Sequence, residues 1–389
     1  MRDANLTHGP LILVKCETCG LVQLKHSYAL EELYGMNYGY RSGLNNSMVV
    51  HLREKVARLL RTVSLKAGDI VLDIGSNDST LLQAYPNEGQ RFIGIDPSGD
   101  KFRSYYPPRV TLIPEFFSAA AFRGKMGDDK AKIVTSIAMF YDLEDPLSFV
   151  HEIESILADD GIWHFEQSYL PSMLKANAYD TVCHEHLEYY AFSQIRWMTA
   201  RANLKILDVS LNDTNGGSFA VTVSKASAPY PANEAAITEL IRTEEALELR
   251  GDAIYQGFRR RVSESRDDIR NLLDELKSEG KNVLGYGAST KGNVLLQYCN
   301  LTWQDIPYIA EVNPEKFGCF TPGTGIPIIS EQEARDMNPD YFFVLPWHFR
   351  ENIVEREADF LAQGGGLIFP LPELAVVARE TRRSHSTRR

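Results

Sequence analysis

The chain has few cysteines, no surplus of basic side chains and no long apolar run. Five cysteines occur among 389 residues, two of them spaced as Cys16-x-x-Cys19. That is not the dense, even set of a secreted disulfide framework. Lysine and arginine number 41 against 52 aspartates and glutamates, a formal charge of −11. This balance excludes non-specific binding to nucleic acid or to an anionic membrane, both of which need cationic surface. The one basic cluster, ARETRRSHSTRR at the end, is short and polar, as fraying tails are. No apolar run approaches a membrane span, and the opening MRDANLTHGP has no apolar signal core. Internal repeats and low-complexity segments are also missing. These absences together predict a cytoplasmic protein. What is present is ordinary globular composition, 44% apolar and 24% charged, with length for two or three domains.

Residues 1–50 read as a loop-rich module: the CxxC, then LYGMNYGYRSGLNNS, with turn residues but little periodicity. A helical pattern begins at VVHLREKVARLL. Over residues 51–227, helical stretches separate the apolar runs IVLDIG, RFIGID, VTLIP, KIVTSIAMF, GIWHFEQ, LKILDVSL and SFAVTVSK. Strands spaced by helices predict a parallel, doubly wound sheet, and the last two, close together, predict an antiparallel edge pair. Residues 228–280 are mostly charged, with apolar positions three and four apart, so they read as one long helix or two in succession. A second α/β unit over 281–389 runs through KNVLGYGASTKGNVLLQYC, IPYIAEVN, DYFFVLPW and GGLIFPLP. The expected fold class is α/β, with two tandem Rossmann-like doubly wound domains behind a small N-terminal module.

VLDIGSNDSTLL places Asp73 and Gly75 at the end of the first strand, and FIGIDPS ends the second with Asp96. Open α/β sheets bind ligands at the carboxyl ends of their strands. An acid ending the second strand can accept both hydroxyls of a ribose, and Gly75 lets the backbone pass close to a ligand. A dinucleotide turn would want G-x-G-x-x-G. Here one glycine precedes Ser76, Asn77 and Asp78, and an acidic turn suits a cationic ligand with an amino-acid tail. The arrangement resembles class I S-adenosylmethionine-dependent methyltransferases, which implies that Asp73 and Asp96 serve the methionine and ribose portions.

CETCGLVQL, YGYRS, IGSND, HEH, NGG, YGASTKGN and LPWHFREN occur in that order. Together they resemble the three-part sugar C-methyltransferase family: a zinc-binding N-terminal piece, a methyltransferase core and a C-terminal Rossmann-like domain. The resemblance spans nearly the whole chain and implies a nucleotide-linked ketosugar of a deoxysugar pathway as partner. It also implies that Tyr38 and Tyr40 belong to a lid over the cleft. Two departures stand out. The family has two CxxC pairs around one zinc, since closed structural sites want four ligands. Only Cys16 and Cys19 are here, as if the chain began after the first pair; His8 or His26 could complete a site, but half a knuckle predicts no tightly bound metal. Ser79 stands where the family's turn commonly has glycine.

YDTVCHEHLEYY, residues 179–190, is the densest titratable stretch. Three readings are open for it. On an extended segment His184 and His186 would point the same way and could bind a metal, but a third ligand of suitable spacing is missing. The stretch could be a polar loop tied down by its own side chains. Or it could move protons: methylating the carbon beside a ketone requires removing a C–H proton, and histidine is the usual base at neutral pH. The resemblance supports the third reading through a Y-x-E-H motif. It carries His186 over as base and Glu185 as its neighbour, with Cys183 in place of the tyrosine. On an extended segment Glu185 would face away from His186, whereas His184 would share its face and could donate to the enolate oxygen. Tyr141, in SIAMFYDLEDP, sits where relatives often carry histidine, and is either a donor in the cleft or a packed aromatic. NDTNGGSF is expected to turn at the cleft rim, with Asn215 as a substrate contact.

The second turn, VLGYGASTKGN, has Gly285-x-Gly287 and then Thr290, a weak signature for a nicotinamide cofactor. Gly287, Ser289 and Lys291 at a helix start suit a phosphate. Glu311 occupies the place of a ribose-binding acid. The resemblance implies that this unit helps to bind the nucleotide-sugar, which assigns Ser289, Lys291, His348 and Arg350 to diphosphate or nucleotide contacts. The expected function is S-adenosylmethionine-dependent methylation of carbon next to the ketone of a nucleotide-linked ketosugar, by a monomer. The alternatives are methylation of an oxygen or of a non-sugar acceptor, a nicotinamide oxidoreductase, and a non-catalytic nucleotide-sugar binder.

Overall fold

The apolar runs build three sheets. The computed structural model describes residues 7–29, 33 and 39–378; Tyr38 and nearly all of the basic tail lie outside the described residues. Near the start, β1 (Leu13–Lys15) and β2 (Val22–Leu24) form a hairpin around the CxxC turn. The second sheet contains β3 (Ile70–Ile74), β4 (Arg91–Ile95), β5 (Val110–Ile113), β6 (Ala131–Ile137) and β7 (Leu157–Ser168). A short strand, β8 (Glu188–Tyr189), leaves that sheet and adds to the hairpin, Val22 lying opposite Tyr189. β9 (Leu204–Asn212) and β10 (Ser218–Lys225) then return to the second sheet.

The second sheet has the order β5-β4-β3-β6-β7-β10-β9. β3 pairs in parallel with β4 and β6, while β10 runs antiparallel between β7 and β9, so the expected edge pair is present. All five residues of β3, IVLDI, are buried, as befits a central parallel strand covered on both faces. One face packs Val71, Ile133 and Ile162 against Leu52, Val56 and Leu59 of the helix Asn46–Thr62. The other holds an aromatic core of Phe140, Trp163, Phe165 and Phe192.

The charged connector is two helices, Glu234–Ala246 and Ala253–Ser278. The longer one buries a single stripe: Phe258, Val262, Ile269, Leu273 and Leu276. Its first half enters a core shared by Val22, Leu24, Met173, Leu187 and Trp347, and its second half packs with Leu296, Ile309 and Phe343. The third sheet consists of β11 (Val283–Tyr286), β12 (Ile309–Glu311), β13 (Ile328–Ser330), β14 (Tyr341–Val344), β15 (Gly366–Phe369) and β16 (Ala375–Ala378). Its order is β13-β12-β11-β14-β15-β16, parallel except for the last strand. One core therefore ties the hairpin, the loop before β8 and the third sheet together, and this positions the site. Among the described residues no helix is long and apolar enough to cross a membrane.

Candidate active site

At the end of β3 the chain turns through Gly75, with φ 71°. A Cβ there would lie 3.2 Å from Met139 Cγ, so the position needs glycine both for conformation and for space. Asp96, just past β4, accepts Asn77 N at 2.8 Å on Oδ2, and Ser98 N at 2.7 Å and Ser98 Oγ at 2.5 Å on Oδ1. Oδ2 keeps a lone pair for a hydroxyl. Asp73 is buried beneath the turn and accepts Thr135 Oγ1 at 2.6 Å. Burial pushes its carboxyl up to about 7, against the Thr135 hydrogen bond and with a further push from Asp96. A glycine cradle beside a half-used carboxylate fits the ribose end of S-adenosylmethionine.

The side chains of Asn77 and Asp78 also bind a neighbouring segment. Asn77 Oδ1 accepts Ser42 N at 3.0 Å and its Nδ2 donates to Tyr40 O at 3.0 Å. Asp78 accepts Gly43 N at 2.9 Å and Thr80 Oγ1 at 2.5 Å. Both side chains hold the 40–43 segment over the turn. Tyr40 contributes its backbone to that contact, and its ring is 49% exposed. Ser79 has φ 66°, the left-handed conformation that glycine adopts most readily.

The histidine stretch is not extended. After a 3-10 turn at Tyr179–Thr181 it makes a tight turn closed by His186 N to Cys183 O at 3.2 Å. This reverses two expectations. His184 does not share a face with His186: its Nε2 donates to Gly9 O at 3.0 Å and its ring meets Tyr28 edge-on at 4.6 Å. Glu185 does not face away. Ligand atoms of Cys183, Glu185 and His186 all lie within 4.8 Å of one another, so three donors do come together, with only one histidine of the His-x-His pair among them.

His186 Nδ1 lies 2.8 Å from Thr181 O. A carbonyl only accepts, so Nδ1 carries the proton and Nε2 keeps its lone pair. The ring packs on Tyr141 with centroids 4.3 Å apart, and Leu187 N donates to Tyr141 O at 3.0 Å. Tyr141 is thus a buried ring that seats the histidine. Desolvation in the cleft, reinforced by the charge of Lys291, lowers the His186 imidazole to about 3 and keeps it neutral. Burial, then the neighbouring Glu185, raises the Cys183 thiol well above its usual range.

The third sheet reaches this loop through two side chains. Trp347 Nε1 donates to buried Asp180 Oδ2 at 2.7 Å. Lys291, in the helix Thr290–Tyr298, turns away from its own glycine turn and donates to Asn215 O at 2.6 Å. It also acts electrostatically on Asp180, Cys183, His186 and His348. His348 and Asn215 line a cavity of about 210 Å³ with His51, Thr214 and Met48. Cys183, His184 and Glu185 line a larger one of about 1110 Å³ with Tyr255, Arg259 and Asn293.

Other expected contacts are turned to internal use. Ser289 Oγ caps the helix by accepting Gly292 N at 3.0 Å. Glu311 accepts the backbone N–H groups of Ala288, Val312 and Asn313 at 2.8–3.0 Å. The Arg350 guanidinium lies over the Phe369 ring at 4.9 Å. Cys16 and Cys19 flank a turn closed by Gly20 N to Cys16 O at 2.8 Å; among the described residues no third ligand joins them.

One cluster escaped the sequence reading. Buried Glu166 in β7 accepts His51 Nε2 at 2.6 Å, Asn212 Nδ2 at 2.6 Å and the Lys55 ammonium. Burial alone would raise its carboxyl, but the His51 hydrogen bond and the charge of Lys55 hold it at about 2. The signal was there: an acid inside the buried run GIWHFEQ must have partners.

Two family descriptions match in succession, a methyltransferase domain over residues 48–209 and a C-methyltransferase C-terminal domain over residues 213–372. C-methyltransferase NovU from Streptomyces niveus is 31% identical over 378 residues, covering 96% of this chain and 88% of NovU. Among solved structures, the CcbJ methyltransferase from Streptomyces caelestis is 11% identical, covering 45% of this chain and 89% of its own, with a TM-score of 0.35. LepI in complex with S-adenosylmethionine is 15% identical, covering 47% of this chain and 53% of its own, with a TM-score of 0.36. Identity to NovU sustained along nearly the whole length, with both matched regions side by side, places this chain in the S-adenosylmethionine-dependent C-methyltransferase family.

Proposed function

We propose that the acceptor is a nucleotide-linked ketosugar, methylated on the carbon beside its ketone, with His186 as general base. The observation that carries this is the Nδ1–H···O=C bond from His186 to Thr181, which leaves the Nε2 lone pair for a proton. His186 takes the C–H proton onto Nε2, and the electron pair of that bond passes to the enolate. Gly75 and Asp96 hold the donor; when bound, S-adenosylmethionine supplies an electrophilic methyl group on a sulfonium that departs as a neutral thioether. Lys291 supplies the cation for the diphosphate or the enolate oxygen, and a negative charge beside it would restore basicity to His186. Tyr141 keeps the ring in place. Holding both reactants in one cleft supplies much of the rate.

The test uses S-adenosylmethionine and a panel of nucleotide-linked ketosugars, with product NMR for a new C–CH₃ signal. His186→Gln should abolish turnover while leaving S-adenosylhomocysteine affinity intact by calorimetry. Near-normal turnover by that variant removes the base assignment. An O–CH₃ signal, or no turnover with any ketosugar, removes the acceptor assignment.

A further inference from the structure

We propose that Cys183, Glu185 and His186 form a binding site for one borderline-soft divalent cation, Zn²⁺ by preference, whose occupation silences the base. The binding stands on geometry alone; only the silencing rests on the reading of His186 given above.

Five observations converge. The three ligand atoms lie within 4.8 Å of one another. Bond lengths of about 2.0–2.3 Å put tetrahedral ligands roughly 3.5 Å apart, so binding draws the three atoms together by about 1 Å. The donors are one sulfur, one nitrogen and one oxygen, which suits zinc and excludes the all-oxygen cages of calcium and magnesium. The nitrogen opposite the free lone pair of His186 already donates to a carbonyl, Thr181 O at 2.8 Å. This is the outer contact that fixes ring orientation in metal-bound histidines.

The next concerns Glu185, which makes no hydrogen bond or ion pair among the described residues. A secluded carboxylate without a partner is costly, and a cation repays that cost. The last is access: Cys183 and Glu185 line the cavity of about 1110 Å³, which gives an entry path.

Three protein ligands leave a fourth position for water. On binding, Cys183 releases its thiol proton to solvent and the thiolate, the imidazole lone pair and the carboxylate bind the ion. The Nε2 lone pair cannot then accept a proton from the acceptor. The tyrosine of the Y-x-E-H motif would supply no sulfur, so the replacement at Cys183 is what creates the site.

The test uses the full chain carrying Cys16→Ser and Cys19→Ser, so that the N-terminal thiols cannot contribute. Titration with Co²⁺ should show one equivalent with a thiolate-to-cobalt charge-transfer band, displaced by Zn²⁺. Cys183→Ser or Cys183→Tyr should abolish the band, and Glu185→Gln should weaken binding, with S-adenosylhomocysteine affinity unchanged as the check on folding. No band, or a band that survives Cys183→Ser, overturns the site. Zn²⁺ should inhibit methyl transfer by the Cys16→Ser, Cys19→Ser chain and leave whatever turnover Cys183→Ser retains unaffected; binding without inhibition overturns the silencing. If no ketosugar is turned over, the acceptor reading fails, and the cobalt titration still decides the site.

Discussion

Trp347 and Asp180 join the third sheet to the histidine loop, the indole N–H donating to the carboxylate across 2.7 Å. Asp180 is fully buried, its Oδ1 has no hydrogen-bond partner among the described residues, and burial raises its carboxyl against the opposing charge of Lys291. Trp347→Phe keeps the apolar packing and removes that donor, which should cost about 1–3 kcal/mol. Thermal unfolding should show the loss. In kinetics the variant should raise the KM for acceptor while leaving S-adenosylhomocysteine affinity unchanged, because the bond lies beside His186 and away from Gly75.

Ser79 occupies a left-handed conformation with φ 66°, and its Oγ is buried without a hydrogen bond among the described residues. That conformation costs a non-glycine residue about 1 kcal/mol. Ser79→Gly should therefore raise the unfolding midpoint, with no loss of donor affinity. A lowered midpoint would mean that the hydroxyl has a partner in solution.

Asp73 predicts a pH dependence of opposite sign to the usual carboxylate. Its carboxyl is at about 7 in the folded chain against 3.8 as the ordinary value. Between those values the folded chain holds a proton that the unfolded chain has released, so stability falls as pH rises through the window. The slope approaches about 1.4 kcal/mol per pH unit. Asp73→Asn should remove this component, and the difference in melting between the two proteins should level off once pH exceeds about 7.

Glu166 behaves conventionally. Its carboxylate, held at about 2 against an ordinary 4.5, contributes stability that is fully present above 4.5 and lost as pH falls through 2. Glu166→Gln leaves the Lys55 ammonium buried without its anion and should cost about 3–5 kcal/mol. Denaturant unfolding at neutral pH measures this; a change below about 1 kcal/mol would mean that Lys55 finds water instead.

The strands were legible because parallel, doubly covered strands are continuous apolar runs: SFAVTVSK is β10 residue for residue. Gly75 and Asp96 could be placed at strand ends because the runs IVLDI and RFIGI that precede them are β3 and β4. The histidine loop was misread on one point that no periodicity encodes. Whether His184 or Glu185 accompanies His186 depends on a single backbone hydrogen bond, His186 N to Cys183 O. Lys291 was expected at its own turn, but its long side chain reaches Asn215 O instead. Ser289 and Glu311 look like ligand-binding residues in sequence because the polar atoms that hold a phosphate or ribose can equally cap the backbone that displays them.

The pairing of β2 with β8 has a consequence for how the protein is made. Val22 cannot meet Tyr189 until the whole of the second sheet up to β7 has been synthesised. Until then the hairpin keeps an open edge, with unpaired N–H and C=O groups. Its closure also pins the strand that directly follows His186. The hairpin thus waits for the second sheet, and its closure fixes the far end of the histidine loop.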